Sequence, residues 1–298
     1  MKTGPSDLWK RINETNLSRE SLGDLSSFKS DKANFKIALW NPATNGMRYL
    51  KFLIYNLAAD LGPADLERLR RTRNRSFGRP LTVRVAGQDI CLDYLQAALE
   101  TGFLEKHGAP LAGADIVEVG AGYGRTAHTI LSNHDARSYT IIDLDNCLDL
   151  SRRYLSRVLD RRRFSRLRFK RAEDSASWSK RRYDLALNID SFAEMDPATV
   201  RVYLGFIRRS CAWFYAKNPV GKYSDPSLES APQPAAHRVA RRMGLLRRVI
   251  DVHDQAAVAA ETGRFLSAYR PKGWTVAGHG WARPWSFYWQ ALFRKEAR

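Results

Sequence analysis

The chain has 298 residues, of which 44% are hydrophobic and 27% charged, so it is too apolar for a disordered protein and can bury one large core or two smaller ones. Lysine and arginine number 49 against 31 aspartate and glutamate, and the net charge of +18 predicts an anionic partner without choosing among nucleic acid, membrane surface and phosphorylated substrate. The sequence has no apolar run of about 18 residues and no apolar segment near its start, so we expect neither a transmembrane helix nor a signal peptide. Three scattered cysteines favour a reduced, cytoplasmic setting over a disulfide or zinc framework.

The first part of the chain, residues 1–105, is predicted to be a mainly helical cap region. Apolar residues recur at helical spacing from Met47 to Leu61, and Gly62-Pro63 ends that run. A short strand over 81–85 and a helix from about 92 to 103 follow.

From residue 106 to residue 298 the pattern predicts a second domain in which strands alternate with helices. The predicted strands cover 116–119, 138–142, 166–170, 183–188 and 212–216. This alternation predicts an α/β fold with a mostly parallel sheet and helices on both faces. A helical insertion is expected at about 222–270, with one helix carrying Val239, Met243, Leu246 and Ile250, before a closing antiparallel hairpin over 274–279 and 286–294.

A glycine-rich turn joins the first of these strands to its helix, in the order Glu118-Val-Gly120-Ala-Gly122-Tyr-Gly124. Glycines there let the backbone bend sharply and approach a ligand. A dinucleotide site needs G-x-G-x-x-G, and Arg125 stands where its third glycine would be. The spacing therefore excludes that class of site.

The same residues match E-x-G-x-G-x-G, and the segment resembles the first motif of Rossmann-like S-adenosylmethionine methyltransferases. The resemblance implies that the turn lies under the methionine portion of the cofactor, and that an acidic residue ending the second strand binds both ribose hydroxyls. Asp143 holds that place, nineteen residues after Gly124. The implied cofactor-binding residues are Glu118, Gly120, Ala121, Gly122, Tyr123 and Gly124 in the turn, Asp143 and Leu144 at the ribose, Glu173 and Asp174 at the adenine, and Asn188 and Ile189 beside the sulfonium. The alternative is an ordinary strand-to-helix turn in which Asp143 and Asp174 only cap helices.

The residues after the fourth strand indicate which atom would receive a methyl group. They lack the Asn/Asp-Pro-Pro-aromatic motif of enzymes that methylate base amines, and Cys211 is typical of a buried apolar residue rather than a nucleophile. An oxygen acceptor remains, and it needs a base or a metal. We predict that Asp190 and Glu194, on one helical face, take the proton or hold a divalent cation, and that Asp196 caps the next helix.

The longer pattern, with Ile141-Ile-Asp143-Leu144 and Asn188-Ile-Asp-Ser-Phe-Ala-Glu-Met195, resembles a bacterial sugar O-methyltransferase family associated with polysaccharide biosynthesis. The likeness runs from about residue 92 to residue 294. It implies a polysaccharide, or a nucleotide- or lipid-linked sugar, as the substrate.

Two other functions stay open. An RNA ribose 2′-O-methyltransferase commonly uses a Lys-Asp-Lys-Glu tetrad, and Asp190 and Lys217 lie near two of its places, although no first lysine or final glutamate fits. A non-catalytic S-adenosylmethionine-binding protein would keep only the cofactor residues. Nucleic acid is the less favoured partner, because the sequence shows no RNA-binding module. The arginine-rich stretches are compatible with peripheral contact with an anionic membrane. A homo-oligomer is also compatible with the sequence. Alternative bases are His128, His237 and His253, and the tryptophans Trp281 and Trp285 either stack on sugar or pack in the core.

Overall fold

The computed structural model describes residues 4, 6, 7, 9, 10, 46–224 and 239–296. Elements are numbered here in chain order within those ranges. Residues 46–114 contain three helices and one small hairpin: α1 Met47–Ala59, α2 Pro63–Arg71, β1 Val83–Val85, β2 Gln88–Ile90 and α3 Leu92–Lys106. Pro63 occupies the first turn of α2, where its missing N–H has no helical partner to lose. None of the described helices is long and apolar enough to span a lipid bilayer.

The remainder alternates strands and helices as the sequence predicts. Its elements are β3 Asp115–Val119, α4 Arg125–Asn133, β4 Ser138–Asp143, α5 Asp145–Val158, α6 Arg161–Phe164, β5 Leu167–Arg171, α7 Ser175–Trp178, β6 Tyr183–Ile189, a 3₁₀ turn Ser191–Glu194, α8 Pro197–Ser210, β7 Cys211–Pro219, β8 Lys222–Ser224, β9 Val249–Asp251, α9 Gln255–Tyr269, β10 Trp274–Trp281 and β11 Tyr288–Lys295.

Seven of these strands form one sheet in the order β5-β4-β3-β6-β7-β11-β10. The five from β5 to β7 run parallel, whereas β11 is antiparallel to both β7 and β10. The predicted α/β fold class, a mostly parallel sheet with helices on both faces and an antiparallel C-terminal hairpin, is confirmed, and the described residues 46–106 before the sheet are mainly helical. Because β3 lies between β4 and β6, the chain reverses its direction of travel there, and open α/β sheets bind ligands at such a point.

Both faces of the sheet are buried, as helices on each side of a parallel sheet require. Ile116, Leu185 and Tyr215 pack on one face with α4 and α5, while Val117 and Phe214 pack on the other with α8 and α9. The alternation along each strand fixes the register, so the residues that end β3, β4 and β6 meet at one edge of the sheet.

The predicted helix through Val239 and Ile250 is wrong. Of residues 239–250, which the structure describes, 239 and 240 alone are helical, and Ile250 belongs to β9, which pairs in parallel with β8. Gly244 explains the break: its φ is +73°, its amide donates to the Met195 carbonyl, and a Cβ there would come within 3.0 Å of the Ala193 backbone. Tertiary contact with the sheet edge thus overrides the helical spacing. Among the described residues of this segment, α9 forms a long helix further along the chain.

Candidate functional site

A cavity of about 940 Å³, counted with its opening to solvent, lies where β3, β4 and β6 end. Its walls come from the glycine turn, the ends of β4 and β6, the start of α8 and the first residues of the chain. The lining residues are Gly4, Ser6, Trp9, Glu118, Gly120, Ala121, Gly122, Arg125, Thr126, Ile142, Asp143, Leu144, Ala172, Ile189, Asp190, Ser191, Glu194, Met195, Asp196, Thr199 and Tyr203.

The glycine turn forms the floor of this cavity, and two of its glycines have a stated reason to be there. Gly120 has φ +76°, and a Cβ on it would lie 2.2 Å from Oγ of Ser191, so the two segments approach more closely than any side chain allows. Gly122 has φ +58°, and its amide donates to Oδ2 of Asp143 at 3.0 Å. The turn and the end of β4 are therefore joined directly.

Asp143 presents a nearly buried carboxylate to the cavity, with 9% of the residue exposed. Its Oδ1 accepts the Leu144 amide at 2.8 Å, in addition to the Gly122 contact. Burial raises the pKa of Asp143 from 3.8 to about 6, although these backbone donors and the Cys147 thiol work in the opposite direction. Each carboxylate oxygen has two lone pairs, so Asp143 can still accept two hydroxyl groups.

Glu118, at the end of β3, is the second buried acid on the cavity wall. Its Oε2 accepts the Tyr139 hydroxyl at 2.7 Å. Burial raises the pKa of Glu118 to about 7, so this carboxyl changes charge near neutral pH.

Asp190 follows β6 at the mouth of the cavity in a strained backbone conformation, with φ +67° and ψ −37°. Its amide donates to the Lys217 carbonyl at 2.7 Å, and its Oδ1 accepts the Tyr288 hydroxyl at 2.5 Å. The expectation that Asp190 and Glu194 share a helical face is wrong, because Asp190 precedes a 3₁₀ turn and is itself not helical. Both nevertheless line the same cavity.

Glu194 lies beside the first residues of the chain. The Trp9 indole donates to its Oε2 at 3.0 Å, and the Ser6 hydroxyl donates to its backbone carbonyl at 3.0 Å. Asp196, also on the cavity wall, is the N-cap residue of α8, before Pro197, but its side chain makes no capping hydrogen bond.

Three side chains of this region were not predicted: Tyr288, Trp9 and Lys222. The Lys222 ammonium donates to the Ala193 carbonyl at 3.0 Å. Burial lowers the pKa of Lys222, while the charges of Glu194 and Asp190 partly restore it. No local sequence signal marks these residues, because each reaches the site from a distant part of the chain.

Five of the predicted cofactor residues do not line the cavity. Tyr123 is buried and donates to Oδ2 of Asp93 at 2.8 Å, and Gly124 begins α4 with φ +90°. Asn188 is in the core, where its amide donates to the Val119 carbonyl at 3.0 Å. Glu173 and Asp174 are exposed beyond β5, and the cavity residue of that segment is Ala172, which precedes them.

Lys217 is buried in an ion network below the cavity, with 2% of its residue exposed. Its ammonium donates to Oε1 of Glu100 at 2.7 Å and to Oε1 of Gln96 at 3.0 Å, both on α3. Glu100 also receives two hydrogen bonds of 3.0 Å from Arg125. Burial lowers the pKa of Lys217, and the nearby Glu100 carboxylate counteracts that effect. The lysine that could belong to a Lys-Asp-Lys-Glu tetrad therefore points into the core.

The other candidate bases are not grouped at the cavity. His128 is in the core, with its Nδ1 2.6 Å from the Tyr94 hydroxyl, and His253 is exposed after β9. His237 lies outside the described residues. Cys211 is buried at the start of β7, and burial raises the pKa of its thiol. Within the described ranges, no group of three or more His, Cys, Asp or Glu side chains has an arrangement suited to a metal ion.

No protein-family model matches the chain, and no curated protein matches it in sequence. Among solved structures, it is similar to a Pyrococcus horikoshii protein provisionally described as an RNA methyltransferase, at 12% identity and a TM-score of 0.45, over 79% of this chain and 98% of that one. It is also similar to the glycopeptide N-methyltransferase MtfA complexed with S-adenosyl-L-methionine, at 15% identity and 0.45, over 67% and 87%. A third is an O-methyltransferase family protein from Burkholderia thailandensis, at 13% identity and 0.45, over 96% and 76%. At these TM-scores and identities the similarities assign no substrate to this chain.

Proposed function

We propose that the protein is an S-adenosylmethionine-dependent O-methyltransferase that acts on a sugar hydroxyl of a polysaccharide or of an activated glycan precursor. The observation that carries the proposal is the Asp143 carboxylate, which lies in the cavity wall and accepts the Gly122 amide of the glycine turn. A nucleoside with vicinal hydroxyl groups is the ligand whose chemistry matches such an acceptor.

The residues present fit that cofactor. Asp143 and the adjoining Leu144 would hold the ribose, and Gly120 and Gly122 leave the floor free of side chains for the methionine portion. Ile142, Ala172 and Tyr203 supply apolar walls for the adenine. When bound, the cofactor supplies a methyl group activated by the sulfonium, while the protein contributes alignment and proton management.

Asp190 and Glu194 are our proposed catalytic residues. Both face the cavity mouth, where one carboxylate can take the hydroxyl proton directly, or the pair can do so through a divalent cation. The Tyr288 hydroxyl orients Asp190 by its 2.5 Å hydrogen bond. The Lys217 side chain, which the RNA ribose alternative would use, is instead bound to Glu100 and Gln96 in the core, and this favours a sugar outside RNA.

We further propose that residues 1–105 cap the acceptor site and that residues 106–298 form the catalytic domain, with the segment at about 222–270 as its insertion. The contacts of Ser6 and Trp9 with Glu194 support the first part of this division. We place the protein in the cytoplasm, where its three buried thiols would stay reduced.

The test incubates the purified protein with methyl-labelled S-adenosylmethionine and either host glycan extract or total RNA, each with and without a chelator. We expect label in the glycan. Asp190→Asn and Glu194→Gln should reduce transfer while calorimetry with S-adenosylhomocysteine shows unchanged affinity. Label found only in RNA would refute the sugar acceptor, and the absence of binding to either cofactor form would refute the cofactor.

Cofactor binding without transfer to either extract, in wild type and variants alike, would identify the non-catalytic alternative. Loss of transfer on chelation, restored by Mg²⁺, would assign the proton step to the cation-assisted route.

A further inference from the structure

Six aromatic side chains lie outside the cavity around the β10–β11 hairpin, and we call them the aromatic surface: Tyr223, His253, His279, Trp281, Phe287 and Trp289. We propose that this surface binds the neutral sugar rings of a glycan chain whose target hydroxyl enters the cavity. This inference rests on the proposed function and adds to it a second subsite.

The rings form two contacting groups, and Phe287 and Trp289 are half-buried against the core. Tyr223 contacts His253 and Phe287 edge-on, with centroids 6.2 and 6.4 Å apart. Further along, the Trp289 indole donates to Nδ1 of His279 at 3.2 Å, with the two rings 5.9 Å apart. Trp281 is the cross-strand partner of Trp289, and directly paired residues project from the same face of a sheet.

Trp281 is more accessible than Tyr223, with 48% of the residue exposed against 37%, and His253 and His279 are also exposed. The orientation of the Trp281 ring is fixed, because the Trp281 indole N–H donates to the Trp285 carbonyl at 2.7 Å. The Arg283 guanidinium lies 5.7 Å from the ring centroid and pairs with Asp60. An exposed indole beside polar groups suits a pyranose, which offers a C–H face for stacking and hydroxyls for hydrogen bonding.

The aromatic surface is joined to the reaction site by the segment 287–289. Phe287 and Trp289 belong to the surface, and the residue between them is Tyr288, whose hydroxyl donates to Asp190. The Val220 amide, next to the end of β7, donates to the Phe287 carbonyl at 2.9 Å and fixes this segment against the carboxyl edge of the sheet. The surface residues Phe287 and Trp289 therefore flank, along the chain, the residue whose hydroxyl contacts Asp190 at the cavity mouth.

The arginine-rich stretch 145–171 lies away from the β10–β11 hairpin, whereas Arg283 is beside Trp281 and Arg241 donates to the Tyr223 carbonyl. Residues 145–171 contain ten arginines and lysines against three aspartates, and they belong to the β5 side of the sheet. The strand order puts β5 and β10 at opposite edges, separated by six interstrand spacings or about 29 Å. A phosphate backbone drawn to the arginine-rich side would lie away from the rings.

The experiment titrates the full chain with four neutral hexasaccharides, namely β-1,4-glucan, α-1,4-glucan, β-1,3-glucan and β-1,4-mannan, followed by tryptophan fluorescence and calorimetry. Trp281→Ala is compared with Tyr49→Ala, a control at a residue that is 76% exposed on α1. We expect at least one hexasaccharide to bind wild type and Tyr49→Ala equally, and Trp281→Ala about two- to tenfold more weakly. Binding should change little between 50 and 500 mM salt, since no phosphate contacts are released.

Equal affinity of the two variants, binding of single-stranded poly(U) alone, or no binding of any hexasaccharide at millimolar concentration would overturn the surface as a glycan site. S-adenosylhomocysteine affinity, measured on the same preparations, shows that Trp281→Ala is folded. Methyl transfer to glycan by the Trp281→Ala enzyme with an unaltered KM for the glycan would refute the aromatic surface as a glycan-binding site but not the proposed function. Label entering only RNA would instead remove the proposed function.

Discussion

Replacing Asp143 by asparagine tests the cofactor site most directly, because the change keeps the shape of the side chain and removes its charge. A hydrogen bond to a charged acceptor contributes about 1.5–3 kcal/mol. The amide retains one acceptor oxygen, so we expect a loss of about 2–4 kcal/mol in cofactor binding, or about 30- to 1000-fold in Kd. The exposed Asp174→Asn variant, outside the cavity, should bind within twofold of wild type.

The pH dependence follows from the same carboxylate. Burial raises the pKa of Asp143 from 3.8 to about 6 in the folded protein without cofactor. The contribution of this group to folding stability is therefore complete below pH 3.8 and is lost as the pH rises through 6. The affinity for the cofactor depends on pH in the opposite direction, because the ionised Asp143 carboxylate accepts both ribose hydroxyls. Cofactor affinity should therefore fall by up to tenfold per pH unit below pH 6.

Calorimetry with S-adenosylhomocysteine between pH 5 and pH 8 checks the binding statement, and urea unfolding between pH 3.5 and pH 7 checks the stability statement. Glu118, with a pKa of about 7, titrates in the same range, and Glu118→Gln removes its share of the profile. The reasoning fails if Asp143→Asn binds within threefold of wild type, or if the affinity of Glu118→Gln is unchanged from pH 7 to pH 5.

Three further outcomes are expected. Gly120→Ala should lower the free energy of unfolding by about 2–5 kcal/mol, because alanine disfavours the positive φ at this position and its Cβ would overlap Ser191. Adding Ser191→Gly to the same chain should restore the part of the loss that is due to the overlap. Urea unfolding measures both changes. Glu100→Gln should destabilise by about 3–5 kcal/mol because it leaves buried Lys217 without its counter-charge, and an unchanged midpoint in thermal unfolding would contradict this. Tyr288→Phe should lower kcat and alter the pH profile of kcat while KM for the cofactor stays the same. An unchanged pH profile would show that the Tyr288 hydroxyl does not orient the Asp190 carboxylate.

The sequence predicted the parallel sheet because short segments rich in β-branched and aromatic residues alternate with segments of helical spacing. The short strands β8 and β9 were missed, since three residues are too few to show a period. The same stretch misled the prediction of a helix through Ile250, where Gly244 and the contact with Met195 decide the backbone. The local sequence pattern predicted secondary structure correctly where helices and strands pack regularly. It predicted wrongly where a single tertiary contact determines the backbone conformation.

The candidate site shows the same division. The glycine turn, Asp143 and Asp190 follow strand ends, so parallel strands bring them to one edge and the sequence order is sufficient to find them. Tyr288 reaches Asp190 across 98 residues and Trp9 reaches Glu194 across 185, and no periodicity reports contacts of that separation.

The buried network also limits which groups can handle the acceptor proton. Glu100 and Lys217 join α3 to β7, and removing either partner would leave a buried charge, so neither can release or accept a proton cheaply during turnover. Asp190 and Glu194, by contrast, face the cavity, and each already accepts a donor from a neighbouring aromatic side chain. In the proposed mechanism, proton transfer therefore depends on how Tyr288 and Trp9 hold the Asp190 and Glu194 carboxylates, and Lys217 serves to join α3 to β7.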